Sequence, residues 1–140
     1  MAVKILVDSA SDIDLEEAKA LGVELIPMKI TFEDGDYSDG VDLSHEKFFE
    51  KLIESAELPR TSLINEYRFT EAFTELTADG SEVVAIMLSS KLSGTYKNAL
   101  KAAEAFKGKV WVVDSLNASA GERLLVECAL RLREAGKSAE

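Results

Sequence analysis

A single cysteine, Cys128, leaves this 140-residue chain without an internal disulfide, a pattern that fits a reducing compartment. Cys128 stands in the apolar middle of a predicted helix and reads as a buried structural thiol rather than a nucleophile. Histidine is equally scarce. The one example, His45, falls at the start of another predicted helix, so the usual base for a nucleophilic serine is wanting, and no Gly-x-Ser-x-Gly elbow occurs. Basic residues are outnumbered: 16 Lys and Arg against 26 Asp and Glu give a net charge of −10. That balance argues against nucleic acid and against an anionic membrane surface as partners, since both are recognised by clustered cations. No apolar run is long enough to cross a bilayer, so no membrane insertion is expected. The first apolar segment is short and ends in Asp8 instead of a small-residue cleavage site, which argues against a signal peptide and for a cytoplasmic location. Prolines number two, Pro27 and Pro59, and each interrupts an element.

What remains is a regular alternation of β-branched runs and amphipathic segments. Strand is predicted over Val3–Val7, and helix over Leu15–Leu21, started by Asp12 or Asp14 and stopped by Gly22. One strand is predicted from Val23 to Phe32, with Pro27 marking an edge or a bulge, followed by a turn-rich loop over 33–40. Helices follow near Ser44–Ser55 and Asn65–Thr77, separated by the break at Leu58-Pro59-Arg60-Thr61-Ser62. Strand at Val83–Leu88, helix at Tyr96–Ala103, strand at Val110–Val113 and helix at Ser119–Ala135 complete the chain. The expected fold class is α/β, a mainly parallel sheet flanked by helices in three α/β/α layers, with residues 1–140 forming one domain. The final Lys137-Ser138-Ala139-Glu140 reads either as a solvated tail or as the start of a further helix, in which case the chain is a fragment.

Parallel sheets bind ligands at the carboxyl ends of their strands. Those ends carry Asp8-Ser9-Ala10-Ser11, Asp114-Ser115-Leu116-Asn117 and, most informative, Ser89-Ser90-Lys91-Leu92-Ser93-Gly94-Thr95-Tyr96. Four hydroxyls within seven residues sit where a strand gives way to a helix. Free backbone N–H groups and the positive end of the helix dipole suit that turn to an anion. The competing reading is a capped turn, with Ser93 as cap and Gly94 relieving strain. Of Thr61 and Ser62, Ser62 reads as a cap for the helix near Asn65, leaving Thr61 free to join Ser93 as a second donor to a carboxylate. A rival site groups Asp8, Asp12 and Asp114 around magnesium for phosphoryl transfer. Against it, Ala10 breaks the paired-aspartate pattern of haloacid dehalogenases, no phosphate-loop lysine occurs, and an Asp-Ser at a strand end commonly makes a tight turn.

Taken in order, Asp8-Ser9, Asp12, Ile26-Pro27-Met28, Tyr37-Ser38-Asp39-Gly40-Val41-Asp42, Thr61-Ser62, the Ser89–Tyr96 segment and Val113-Asp114-Ser115 resemble the DegV family of bacterial fatty-acid-binding proteins. The resemblance implies the N-terminal half of a two-domain protein with the DegV-type (EDD) fold. It implies a non-catalytic module that buries a long-chain fatty acid and holds its carboxylate through Thr61 and Ser93, with Ser62, Ser89, Ser90, Gly94 and Thr95 adjoining. No cofactor or metal is implied beyond the fatty acid as ligand. A separate fatty acid kinase catalytic subunit is the implied partner. Two departures stand out: Leu63-Ile64 follows Thr61-Ser62 where the family has Gln-Pro, and Glu122-Arg123 follows Gly121 where the family has a second glycine. The remaining alternative is an inactive half-domain that self-associates through the face the other domain would cover.

Overall fold

The computed structural model describes residues 2–140. In chain order its elements are β1 (Val3–Asp8), α1 (Leu15–Leu21), β2 (Glu24–Ile26), β3 (Lys29–Phe32), β4 (Gly35–Ser38), α2 (His45–Glu54), β5 (Arg60–Ser62), α3 (Glu66–Thr77), β6 (Glu82–Met87), α4 (Thr95–Ala103), β7 (Val110–Asp114) and α5 (Ala120–Glu134). Short 3-10 turns at Ser9–Ser11 and Glu104–Phe106 follow β1 and α4.

Four strands form a parallel sheet in the order β2-β1-β6-β7. Because side chains alternate across a strand, Leu6, Val83, Ala85 and Met87 face α3 and α4, where Phe69, Phe73, Ala99 and Ala102 complete one core. Ile5, Val7 and Ile86 face the other way and meet Ala18 of α1 with Val126 and Leu130 of α5. The expected three-layer α/β/α sandwich is therefore present.

Several sequence expectations change. The single strand from Val23 to Phe32 is two strands in different sheets. Pro27 interrupts the ladder, and Met28 is held in the gap by its N–H to Ser9 Oγ (2.9 Å) and by Asp39 N–H to its carbonyl (3.0 Å). Beyond that point β3 joins an antiparallel sheet of order β4-β3-β5. The polar segments 35–38 and 60–62, read as loop and helix break, are its outer strands. A small core of Ile30, Phe32 and Leu43, with Tyr37 and Phe48 against it, fixes α2 over this sheet; the Phe32 and Phe48 rings lie edge to face at 5.8 Å. Cys128 is a further correction. It is exposed, because α5 buries Glu122, Val126 and Leu130 at spacings of four and turns Leu124, Cys128 and Leu132 outward.

Helix caps follow side-chain chemistry. Asp14 Oδ1 accepts Glu17 N–H (2.8 Å), Ser44 Oγ accepts Lys47 N–H (3.2 Å) and Asn65 Oδ1 accepts Arg68 N–H (3.0 Å). Asn65, not Ser62, thus starts α3. At Gly121 a Cβ would come within 2.4 Å of Asn117 Oδ1 and 3.1 Å of Asn117 Cβ, so this glycine permits the loop after β7 to fold onto α5. Gly121→Ala has to push Asn117 off its bond to the Ser115 carbonyl (2.9 Å). The expected loss is about 1–2 kcal/mol in denaturant unfolding, within the range for overpacking.

Candidate functional site

The carboxyl ends of β1, β2 and β6 open toward the antiparallel sheet, and a cavity of about 540 Å3 lies between them. Ala10, Met28 and Leu88 line it from the parallel sheet, Ile30 and Thr61 from β3 and β5, and Leu63, Leu92, Ser93 and Gly94 from the two loops. The register explains why Thr61 faces inward. It is paired with Ile30, and opposed residues share a face, so Ile30 and Thr61 line the cavity together while Ser62 alternates away. Thr61 and Ile30 also line an adjoining hollow of about 450 Å3 with His45, Phe48 and Phe49. Apolar side chains continue around the mouth: Leu63 is 50% exposed, Leu92 69% and Phe49 59%.

Ser93 and Gly94 stand at the amino end of α4, whose first turn receives no side-chain cap from Gly94. Ser93 Oγ accepts Thr95 N–H at 3.2 Å and lies 3.0 Å from Thr95 Oγ1. Gly94 has an ordinary helical φ of −76°; what it provides is room, since a Cβ there would meet Leu63 Cδ2 at 3.3 Å. Ser89 and Ser90 lie outside the cavity. Ser89 is buried, its N–H on the Asn117 carbonyl (2.9 Å) and its Oγ accepting Lys91 N–H (3.2 Å). Ser90 is exposed and gives its N–H to Asp114 Oδ1 (3.0 Å). Of the residues expected at the site, Thr61, Ser93 and Gly94 line one cavity, Thr95 lies buried behind Ser93, Ser89 and Ser90 hold the loop after β6, and Ser62 stands on β5 opposite Lys29.

The three aspartates of the magnesium alternative are not brought together, and among the described residues no group of three His, Cys, Asp or Glu side chains is placed to hold a metal ion. Asp8 is fully buried, its two oxygens taken by Ala10 N–H (3.0 Å) and Leu88 N–H (2.7 Å). Asp114 Oδ1 accepts the amides of Ser90 and Leu116 (3.0 and 3.1 Å). Burial nudges its carboxyl up, and its bonds to Ser90 and Leu116 outweigh that, leaving it below the usual range. Asp12 takes the Ser119 hydroxyl and adopts a left-handed φ of 59°. These carboxylates tie loops to the sheet.

Sequence reasoning missed two acids here. Asp39 lines both hollows, half-buried, with its carboxyl raised by burial against the opposing pull of Ser9 and His45. Its place in the Tyr37–Asp42 motif was the available signal. Glu122 is fully buried beside Asp8, and neither of its oxygens has a hydrogen-bond partner among the described residues. Burial first, then the neighbouring Asp8, pushes its carboxyl up to about 10. Its departure from the family glycine pattern marked the position without revealing the burial.

A parallel sheet with a hydroxyl-flanked apolar hollow at its carboxyl edge places the chain in the α/β class, whose ligand sites commonly lie at that edge. The comparisons specify it further: the chain belongs to the DegV family, whose model, described as "Uncharacterised protein, DegV family", matches residues 2–140. A DegV domain-containing protein of Caldanaerobacter subterraneus is 35% identical over 139 residues, covering 99% of this chain and 49% of the relative. Among solved structures, a DegV family protein from Thermus thermophilus, described for its fatty acid binding, superposes with a TM-score of 0.87 at 33% identity, over 99% of this chain and 49% of that one. A stearic acid-binding protein from Eubacterium ventriosum gives 0.85 at 27% identity, over 99% and 49%. The chain thus spans about half the length of the relatives it matches. No helix among the described residues is long and apolar enough to cross a membrane.

Proposed function

We propose that this chain is a fatty-acid-binding module, the counterpart of the N-terminal half of its two-domain relatives, in which Thr61 and Ser93 hold the carboxylate of a long-chain acid. The observation that carries the reading is one cavity that joins these two hydroxyls, distant in sequence, to Met28, Ile30, Leu63, Leu88 and Leu92. Its volume of about 540 Å3 lies within the ~300–1,000 Å3 typical of small-molecule sites. Burying a sixteen-carbon tail contributes roughly 12 kcal/mol gross at about 0.8 kcal/mol per methylene, reduced by ordering terms. Hydrogen bonds to a charged oxygen add about 1.5–3 kcal/mol each. The tail supplies most of the affinity, and the hydroxyls select the head group.

Thr61 is exposed at the mouth, so a head group held there stays within reach of a second protein. The reading extends on that ground to a carrier that is not itself an enzyme and that presents its acid to a separate kinase subunit.

The test is calorimetric titration of wild type and of the Thr61→Ala/Ser93→Ala double variant with hexadecanoic acid and hexadecan-1-ol. Acid binding is expected to weaken by about 30-fold or more, from the loss of two charge-assisted bonds, while alcohol binding changes several-fold less. Equal losses for both ligands contradict the assigned role.

A further inference from the structure

Thr95 neither lines the cavity nor reaches solvent, being 0% exposed, yet its hydroxyl joins the two segments that carry Thr61 and Ser93. Its Oγ1 accepts the N–H of Ile64 at 3.4 Å and lies 3.0 Å from Ser93 Oγ. Ile64, itself buried, sits in the connection from β5 to α3, and its carbonyl accepts Asn98 Nδ2–H of α4 at 2.9 Å. The backbone of this one residue therefore fixes the Thr61 segment against the Ser93 segment.

The direction of the hydrogen bonds follows from counting protons. A hydroxyl has one proton to give. Thr95 already accepts from Ile64, and among the described residues Ser93 Oγ is the acceptor within its reach. Were Ser93 the donor, the Thr95 proton would be buried without an acceptor, an arrangement native interiors avoid. Thr95 must then donate, and Ser93 Oγ receives both the hydroxyl and the N–H of Thr95. The one Ser93 proton points into the cavity.

Resting on the fatty-acid reading, we infer that Thr95 is a positioning residue that makes Ser93 an obligate donor, so the site selects a ligand oxygen that only accepts, a carboxylate over an alcohol. An ionised carboxylate takes two donated hydrogen bonds and returns none. An alcohol has its own proton to place, and beside a Ser93 with its acceptor sites filled it loses that bond. Polarised chains of this kind also strengthen the terminal donor.

The experiment is a double-mutant cycle in the full 140-residue chain, read by displacement of a fluorescent fatty-acid probe with hexadecanoic acid and with hexadecan-1-ol. Thr95→Val keeps the branched shape and removes the hydroxyl. It is expected to weaken acid binding by about tenfold, ~1.4 kcal/mol, with alcohol binding within twofold of wild type. Thr95→Ser, which restores the hydroxyl, is expected to recover acid binding to within about threefold. On a Ser93→Ala background Thr95→Val should have no further effect, because it acts through Ser93. Equal loss of acid and alcohol in Thr95→Val, or additive losses in the double variant, overturns the inference and leaves the fatty-acid reading standing. Wild type that binds neither ligand overturns both. If Thr95→Val does not fold, Thr95→Cys, whose thiol is a weak donor, gives the same comparison.

Discussion

Replacing Glu122 with glutamine is expected to remove most of a fall in stability that wild type shows between weakly acidic and alkaline pH. Glu122 has no exposed surface, its oxygens lack partners among the described residues, and Asp8 lies beside it. Of the two acids, Asp8 is the better anion, since it receives the amides of Ala10 and Leu88. The proton that this pair of acids retains therefore rests on Glu122. In the unfolded chain that carboxyl ionises near 4.5, and in the folded protein near 10. Between those values the native state holds a proton that the unfolded state has released. Its contribution is complete at low pH and is lost as pH rises, by up to about 1.4 kcal/mol per pH unit. The Asp8 carboxyl, also raised by burial, adds to the same direction. Glutamine offers an amide donor to Asp8 and cannot ionise, so the stability of the variant should fall less as pH rises and exceed that of wild type at alkaline pH. Urea unfolding at several pH values measures this, and an unchanged slope in Glu122→Gln would refute the protonated Glu122.

The second large effect belongs to the core between the sheet and α3. Phe73 is fully buried, with the Phe69 ring stacked at 5.8 Å and the Phe106 ring edge-on at 5.8 Å. Phe73→Ala removes buried area and leaves a cavity that the sheet cannot collapse around, an expected loss of about 3–5 kcal/mol in denaturant unfolding. Phe49→Ala provides the contrast. That ring is 59% exposed, and its loss should shift stability by only about 0.5 kcal/mol. If both substitutions cost the same, α3 is not packed as described.

The parallel sheet was legible chiefly in its central strands β1 and β6, which are largely buried and rich in apolar, β-branched residues. The helices were legible from their apolar spacing and α1 also from its Asp cap, whereas the cap of α3 is Asn65 and not the expected Ser62. The antiparallel sheet was not. Arg60-Thr61-Ser62 carries no hydrophobic alternation, and it becomes a strand only because β3 offers an unpaired edge, which is a tertiary fact. Gly35-Asp36-Tyr37-Ser38 has the composition of a turn for the same reason. Pro27 marks an interruption in the sequence, but only three-dimensional pairing shows that the chain changes sheets there. Cys128 illustrates the limit of local hydrophobicity: its neighbours in sequence are apolar, whereas its position on the helix, two residues after Val126, turns it to solvent. Thr61 stands out in the sequence as a hydroxyl with no local duty, and Ser93 as one of four hydroxyls crowded into a single turn. The role of Thr95 does not show there, since its value lies in a bond to Ile64, thirty-one positions away.

Asp8 has a consequence for ligand size. Its two oxygens hold the amides of Ala10 and Leu88, and both residues line the cavity. The gauge of the chamber at that level is therefore set by the span of a single interior side chain, bolted to the turns that follow β1 and β6. Lining residues can be exchanged to trim or fill the hollow, but its bore stays the same until that bolt is altered. On the fatty-acid reading proposed above, tolerance for slim or kinked tails is expected to follow Asp8, which does not itself line the hollow.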